Sequence, residues 1–417
     1  MKDLENPSAS AQQKQPLFTP YQTFMIAVLA FIQFTVVLDF MVLSPLGAIL
    51  MPKLGITTVQ FGAVVSAYAF SAGISGILAA GFADKYDRKK FLLFFYFGFV
   101  FGTMLCAIAP NYYFLLAART VTGIFGGVIG AVSFAIISDL FKLETRGRVM
   151  GMVQTAFAAS QVLGLPIGLI LANKLDWHAP FWMIVVISGL VGVLIILKMQ
   201  PVTEHLKLQS PRNPLQHLGK TLSNRFYVRA FLSTILMSTG GSMLMPFGSA
   251  FTTNNLGVSL DQLPLVYVIT GICSMAAGPL IGKMSDKVGK FPTFVLGSML
   301  TLVMIAIYTR LGVTPLWILI IINVIIFIGI LTRMISASAL LTAIPEPQDR
   351  GAFNSINSSI AQISGGIATF IAGLIVVQNP NGMLERYDVL GYVVIASILI
   401  TIGMVYWVNR HIEKNLV

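Results

Sequence analysis

The sequence predicts an all-α polytopic membrane protein whose twelve transmembrane helices form two parallel six-helix repeats. Three observations carry that prediction. Only 10% of the 417 residues are charged and 56% are hydrophobic, whereas a soluble globular chain carries roughly 25% charged residues. The charges fall in short islands between apolar runs of about 20 or more residues, each long enough to cross a bilayer. Short motifs also recur half a chain apart. Together these exclude a cytosolic enzyme, a secreted disulfide scaffold and a disordered chain.

The apolar runs place helices at 22–50, 58–81, 91–109, 112–138, 148–172 and 180–198, then at 227–250, 262–282, 291–310, 315–343, 352–378 and 388–409. The chain therefore divides into an N-terminal tail (1–20), a first bundle (21–198), a linker (199–225) holding Pro201, Pro211 and Pro214, a second bundle (226–409) and a C-terminal tail (410–417). The first run is long and lacks a small-residue cleavage site after it, so it reads as a retained span and not a signal peptide. Cys106 and Cys273 both lie inside apolar runs, in opposite halves, and have no metal-ligand spacing.

Lysine and arginine placement sets the orientation. With the N-terminus inside, 21 basic residues fall on inner segments: the two tails, Lys85–Lys90, Lys142–Arg148, Lys198–Arg229, Lys283–Lys290 and Arg350. Four fall on outer loops, Lys53, Lys174, Arg310 and Arg386, and two within spans, Arg119 and Arg333. Both termini are thus expected in the cytoplasm, and the net charge of +11 is a topology signal and not a nucleic-acid footprint.

Leu43-Ser44-Pro45-Leu46-Gly47 recurs as Leu244-Met245-Pro246-Phe247-Gly248, Leu54-Gly55 with Gln60 as Leu256-Gly257 with Gln262, and Ala83-Asp84-Lys85 as Ser285-Asp286-Lys287. Each half holds six spans, an even number, so the halves share one orientation. Such parallel repeats suit a transporter that closes around a midplane site. They favour transport over a receptor or a membrane-embedded enzyme, for which the spans offer no His/Asp/Cys constellation.

The loop after the second span reads Ala80-Gly81-Phe82-Ala83-Asp84-Lys85-Tyr86-Asp87-Arg88-Lys89-Lys90, and its second copy Gly282-Lys283-Met284-Ser285-Asp286-Lys287-Val288-Gly289-Lys290. Here the chain resembles the major facilitator superfamily, whose signature in this loop is Gly-x-x-x-Asp-(Arg/Lys)-x-Gly-(Arg/Lys)-(Lys/Arg). In the first copy Ala80 stands for the first glycine and Asp87 for the second. The resemblance implies a cytoplasmic latch between the halves, built here from Gly81, Asp84, Arg88, Gly282, Asp286 and Gly289.

Asp39 is the one acidic residue expected well inside a span. A carboxylate at that depth must be paired, protonated or turned to a water-filled cavity. It lies about 23 Å along the first helix from Phe24, and Arg119 lies about 10 Å from the outer surface in the fourth, so an ion pair is plausible. Burial favours the protonated acid and a nearby arginine the carboxylate, a balance that suits a proton carrier. A static pair fixing helix 1 to helix 4 is the alternative. Arg119-Thr120-Val121-Thr122-Gly123 also resembles the family's Arg-x-x-x-Gly motif, which is linked to proton transfer.

Arg333 lies mid-span with no buried acid of its half to match it, and is expected to meet an anionic substrate, to pair with Asp39 or to snorkel. Gly164-Leu165-Pro166-Ile167-Gly168 is similar to the bent helix 5 motif of the family's antiporters and arabinose-efflux-type members. The stretch Leu175–Phe181 resembles that group too, with His178, read as a solvated loop histidine, in place of its arginine. Polar and aromatic residues inside spans, Gln33, Tyr68, Gln154, Gln161, Tyr267, Asn323, Asn354, Asn357 and Gln362, are the candidate cavity lining. Gly278–Met284 faintly resembles a phosphate-binding loop but ends in Met where Ser or Thr would bind Mg²⁺.

The resemblance to the drug:H+ antiporter and arabinose-efflux-type group implies proton-coupled export of a small organic molecule across a bacterial-type inner membrane. No cofactor is expected beyond the proton as coupling ion. The expected surroundings are a small-molecule substrate and the lipid bilayer, with no nucleic acid, and the protein is expected to act as a monomer. Import of a nutrient, siderophore or other metabolite by symport or facilitated transport is the alternative, and a transport-inactive receptor or membrane-embedded enzyme a remote one.

Overall fold

The computed structural model describes residues 17–80, 85–204, 206, 214–346 and 349–416. Among these, twelve helical spans are long and apolar enough to cross a membrane. The first half comprises α1 (Pro20–Val42), α2 (Gly47–Leu54), α3 (Thr58–Ala80), α4 (Arg88–Ala107), α5 (Tyr112–Leu140), α6 (Leu143–Ala159), α7 (Leu165–Lys174) and α8 (Ala179–Lys198). A π-helical turn, Ser160–Gly164, joins α6 to α7 within one span. After α9 (Pro214–Ser223), the second half comprises α10 (Arg225–Asn254), α11 (Leu263–Val288), α12 (Lys290–Tyr308), α13 (Leu316–Leu341), α14 (Arg350–Ile375) and α15 (Tyr387–Leu416). Starts follow local chemistry: Thr19 and Gln22 form a reciprocal capping box ahead of Pro20, and Asn111 caps α5 by accepting from the Phe114 N–H at 3.0 Å.

Four departures from the sequence reading have physical causes. The first run, expected at 22–50, breaks after Val42 and resumes as α2. Pro45 has no N–H to donate, and the helical ladder gives way to two tight turns, Leu46 N–H to the Leu43 carbonyl and Gly47 N–H to the Ser44 carbonyl. Pro246, its repeat counterpart, is carried inside α10. The segment 199–225 holds α9, whose Leu218 packs in a cluster with Tyr227 and Phe353 of the second half. The last helix continues to Leu416. Between α14 and α15 a two-stranded antiparallel hairpin pairs Val377 with Glu385 and Gln378 with Leu384, turning at Gly382 with φ +83°.

That hairpin marks one end of the bundle, the hairpin end. The turns holding Lys85–Lys90, Lys142–Arg148 and Lys283–Lys290 mark the other, the basic end. The halves are sealed to each other on the hairpin side. Thr58 donates to the Val376 carbonyl at 2.6 Å, Ser66 to Gly366 at 2.8 Å, Ser249 to Ser44 at 3.2 Å and Asn173 to Leu260 at 2.7 Å. The two copies of the Leu-x-Pro-x-Gly repeat meet in this seal, where a Cβ on Gly47 would lie 3.1 Å from the Pro246 carbonyl oxygen. The α3–α14 seam runs on past mid-span to Gly73, where a Cβ would lie 2.9 Å from the Ser359 carbonyl oxygen.

Candidate functional site

Asp39 and Arg119 meet inside the first half. Arg119 donates from Nη1 to Asp39 Oδ2 at 2.7 Å and to the Asp39 backbone carbonyl at 3.3 Å, and both residues are fully buried. Thr103 of α4 donates its hydroxyl to Asp39 Oδ1 at 3.1 Å. Tyr68 of α3 lies under the guanidinium, 4.6 Å from its carbon to the ring centroid, a cation–π contact strengthened by the dry setting. Nε and Nη2 of Arg119 are buried without a partner. Four helices therefore converge on one charge pair. They come this close because α5 presents glycines to α3: a Cβ on Gly126 would lie 2.6 Å from the Tyr68 hydroxyl, and one on Gly123 or Gly127 would run into the backbone of Tyr68 or Ala72. Tyr68, expected in the cavity, is thus corrected to a partner of Arg119 within the first half.

The bent span lies directly behind this pair. Pro166 cannot donate a backbone hydrogen bond, and the helix takes up the loss as the wide turn Ser160–Gly164, where Leu165 N–H reaches the Ser160 carbonyl. One face of the turn rests on α1: Ser160 donates to the Phe34 carbonyl at 2.9 Å, a Cβ on Gly164 would lie 2.6 Å from Leu38, and one on Gly168 3.1 Å from Val42. The other face carries Gln161 into a small cavity between the halves, lined also by Leu165, Met245, Tyr267, Thr270 and Phe327. The Thr270 hydroxyl is buried there without a partner. Gln161 and Tyr267 both line this cavity.

The other cavity candidates are not among the residues lining it. Asn357 accepts from Thr234 at 2.6 Å, and Asn323 donates to the Leu319 carbonyl of its own helix at 3.1 Å. Gln33 and Gln362 are half-buried, and Gln154 and Asn354 exposed. Arg333 is buried on α13 against Phe294 of α12, with its guanidinium carbon 5.7 Å from the ring centroid.

At the basic end, Gly81 and Asp84 lie outside the described residues. Arg88 is buried and donates from Nε to Asp139 Oδ2 at 3.0 Å, tying the start of α4 to the end of α5. Asp87, which replaces the signature glycine, caps α4 by accepting from the Lys89 N–H at 2.9 Å and holds the segment after α8 through the Val202 N–H at 3.0 Å. In the second copy, Lys290 bonds Asp286 at 3.3 Å in an exposed i,i+4 pair, and Gly289 supplies a φ of +104° between α11 and α12. Gly282 has open space where a side chain would be. Asp139 and Thr103 escape a sequence reading, since a carboxylate at a span boundary and a threonine inside an apolar run are both unremarkable there.

His178 corrects another reading. It is half-buried, with Nδ1 2.5 Å from Asp176 Oδ1 and Nε2 3.0 Å from the Ala109 carbonyl. The His178 backbone N–H also donates to Asp176 Oδ1, at 3.2 Å. Lys53 of α2 completes the cluster, 2.6 Å from Asp176. Burial alone pushes the Asp176 carboxyl up, but hydrogen bonds from Lys53 and His178 outweigh it and hold the group below its ordinary value.

The sequence profile of the Major Facilitator Superfamily matches residues 29–236 and again 230–416. YceJ, an uncharacterized MFS-type transporter of Bacillus subtilis (strain 168), is 27% identical over 350 residues, spanning 82% of this chain and 87% of its own. Multidrug resistance protein 3 of the same organism is 34% identical over 148 residues, 36% of this chain and 29% of its own. The inward-facing, unoccupied crystal structure of a bacterial homolog to the human lysosomal transporter Spinster shares the fold at a TM-score of 0.76 and 15% identity, covering 95% of this chain and 98% of that one. Matched in both halves by one profile and built of twelve spans in two six-span repeats, the chain belongs to the Major Facilitator Superfamily of membrane transporters, and it is not an enzyme.

Proposed function

We propose that the protein exports a small organic molecule in exchange for protons, with Asp39 as the proton site and Arg119 as its counter-charge, and with the basic end in the cytoplasm. The observation that carries this reading is the placement of the fully buried Asp39–Arg119 pair against the same helix that supports the cavity wall. A proton on Asp39 removes one charge of the pair and loosens the hold of α5 on α1. Ser44, five residues further along, supplies a carbonyl to the seal at the hairpin end. Ser160 and Gly164, resting on α1 at Phe34 and Leu38, frame Gln161 in the cavity. Proton and substrate thus bias one movable element from two sites, which is what linkage between two ligands requires.

The cavity is about 10 Å³ here, room for about one water, so it must widen to take an organic molecule. Its one amide, one phenol and one unpartnered hydroxyl in an otherwise apolar lining suit a neutral or amphipathic substrate once it does. The similarity to multidrug resistance protein 3 supports the efflux reading over the part of the chain it matches.

The test is internal pH in proteoliposomes challenged from outside with a panel of candidate substrates, wild type beside Asp39→Asn. Substrate-evoked alkalinisation of the lumen in wild type only is the antiport result. Acidification identifies symport instead, and transport without proton movement removes the coupling from the account.

A further inference from the structure

Among the described residues four charged side chains are buried: Asp39, Arg88, Arg119 and Arg333. The first three are members of ion pairs. Arg333, 6% exposed, makes no ion pair or hydrogen bond among the described residues, and its Nε and Nη2 are buried without partners. Its one charged-group contact is the face of Phe294, itself fully buried. Arginine keeps its proton, so it cannot escape this cost by neutralising, and a cation with two of its three nitrogens cut off from both water and partners is unfavourable.

The two unpartnered nitrogens are informative in themselves. Nε–H and the adjacent Nη2–H point the same way along one edge of the guanidinium, a two-pronged donor matched to the oxygens of a carboxylate or phosphate. Two further donors lie nearby in the fold. Ser336 stands one turn beyond Arg333 on α13, and Ser298 one turn beyond Phe294 on α12. Both are fully buried and both hydroxyls lack a partner. The helices are held at this spacing by small residues, since a Cβ on Gly297 would lie 2.7 Å from the Thr332 Cβ and one on Gly329 2.5 Å from the Thr301 hydroxyl. Arg333 is also not part of the cavity between the halves. It follows Phe327, which lines that cavity, by six residues, about 9 Å along α13 and roughly 240° around it.

We propose that Arg333, where α13 packs on α12, is an oxyanion site, in which a carboxylate or phosphate is held on the Nε/Nη2 edge with the Ser298 and Ser336 hydroxyls supporting it. The site lies within the second half and does not depend on the coupling assigned to Asp39.

The test uses the full chain in phosphatidylcholine nanodiscs, melted in Tris-chloride with rising sodium benzoate or inorganic phosphate at constant ionic strength, and separately in discs containing phosphatidylglycerol. Wild type, Arg333→Gln and Arg333→Lys are compared. The melting temperature of wild type rises saturably, by about 2 °C at roughly tenfold above Kd. The rise is absent in Arg333→Gln and weaker in Arg333→Lys, which keeps the charge but not the fork. Without any probe, Arg333→Gln melts above wild type, because the uncompensated charge is gone. A rise with benzoate or phosphate identifies a soluble anion, and a rise only with phosphatidylglycerol a lipid headgroup. No Arg333-dependent rise in any condition, or an Arg333→Gln protein less stable than wild type in probe-free phosphatidylcholine, overturns the site.

Discussion

Separating the two charges of the Asp39–Arg119 pair gives a worked prediction. Asp39→Asn keeps a side-chain oxygen near Thr103 and the backbone carbonyl that accepts from Arg119, but leaves Arg119 with no counter-charge. Removing one member of a buried pair costs about 3–5 kcal/mol, because the survivor is stranded. The geometry supports that range, as the one carboxylate that Arg119 meets is Asp39 and its Nε and Nη2 already lack partners, while the backbone carbonyl of residue 39 remains. Arg119→Gln costs a similar amount at neutral pH, but Asp39 can then shed its charge by taking a proton, so that deficit shrinks as pH falls. The Asp39→Asn deficit does not, since arginine keeps its proton. The double variant strands no charge and is expected within about 1–2 kcal/mol of wild type, less costly than either single. Reversible unfolding by SDS titration in bicelles at pH 5.5 and 7.5 reads all four proteins. Single variants costing under about 1 kcal/mol each, or a double variant equal to their sum, would refute the pairing argument.

Two further outcomes follow from other contacts. Thr58→Val removes the donor to the Val376 and Gly373 carbonyls that closes the hairpin end. One such bond contributes about 0.5–1.5 kcal/mol, so opening should become roughly two- to tenfold more favourable. Spin-label distances between Leu175 and Val313, both exposed and in opposite halves, will show the longer component grow; an unchanged distribution counts against the seal. The depressed Asp176 carboxyl adds stability that is complete above its ordinary 3.8 and is lost as pH falls through its lower folded-state value. At 40% side-chain exposure the pair with Lys53 is screened, so the effect stays below about 1 kcal/mol. Melting curves from pH 5 to pH 2.5 should fall less steeply for Asp176→Asn than for wild type.

Depth arithmetic along two apolar runs made an Asp39–Arg119 pair plausible, because a helix advances by a fixed rise and a buried charge must find its opposite, but it left Arg333 open as another partner for Asp39. The twelve spans were legible for the same reason, as each apolar run has bilayer length. What stayed hidden depends on neighbours in space. Pro45 and Pro246 occupy matching repeat positions, yet one ends a helix and the other is carried within one. Pro166 announced a bend, but the wide turn beginning at Ser160 shows only when the helix is seen against α1. The polar, proline-containing segment 199–225 gave no hint that Leu218 would dock on Tyr227 and Phe353. Tyr68 was eligible for the cavity by residue type alone, and the glycines of α5 place it beneath Arg119. Asp139 looked like a boundary residue, and its meaning came from Arg88 51 positions away.

The most direct test of coupling through Asp39 compares two modes of transport in the same proteoliposomes. For a substrate that wild type carries, one measures exchange of labelled for unlabelled substrate without a pH gradient, and accumulation against a concentration gradient driven by an imposed one. The account predicts that Asp39→Asn retains exchange and loses gradient-driven accumulation. An Asp39→Asn protein that still concentrates substrate as wild type does would contradict it.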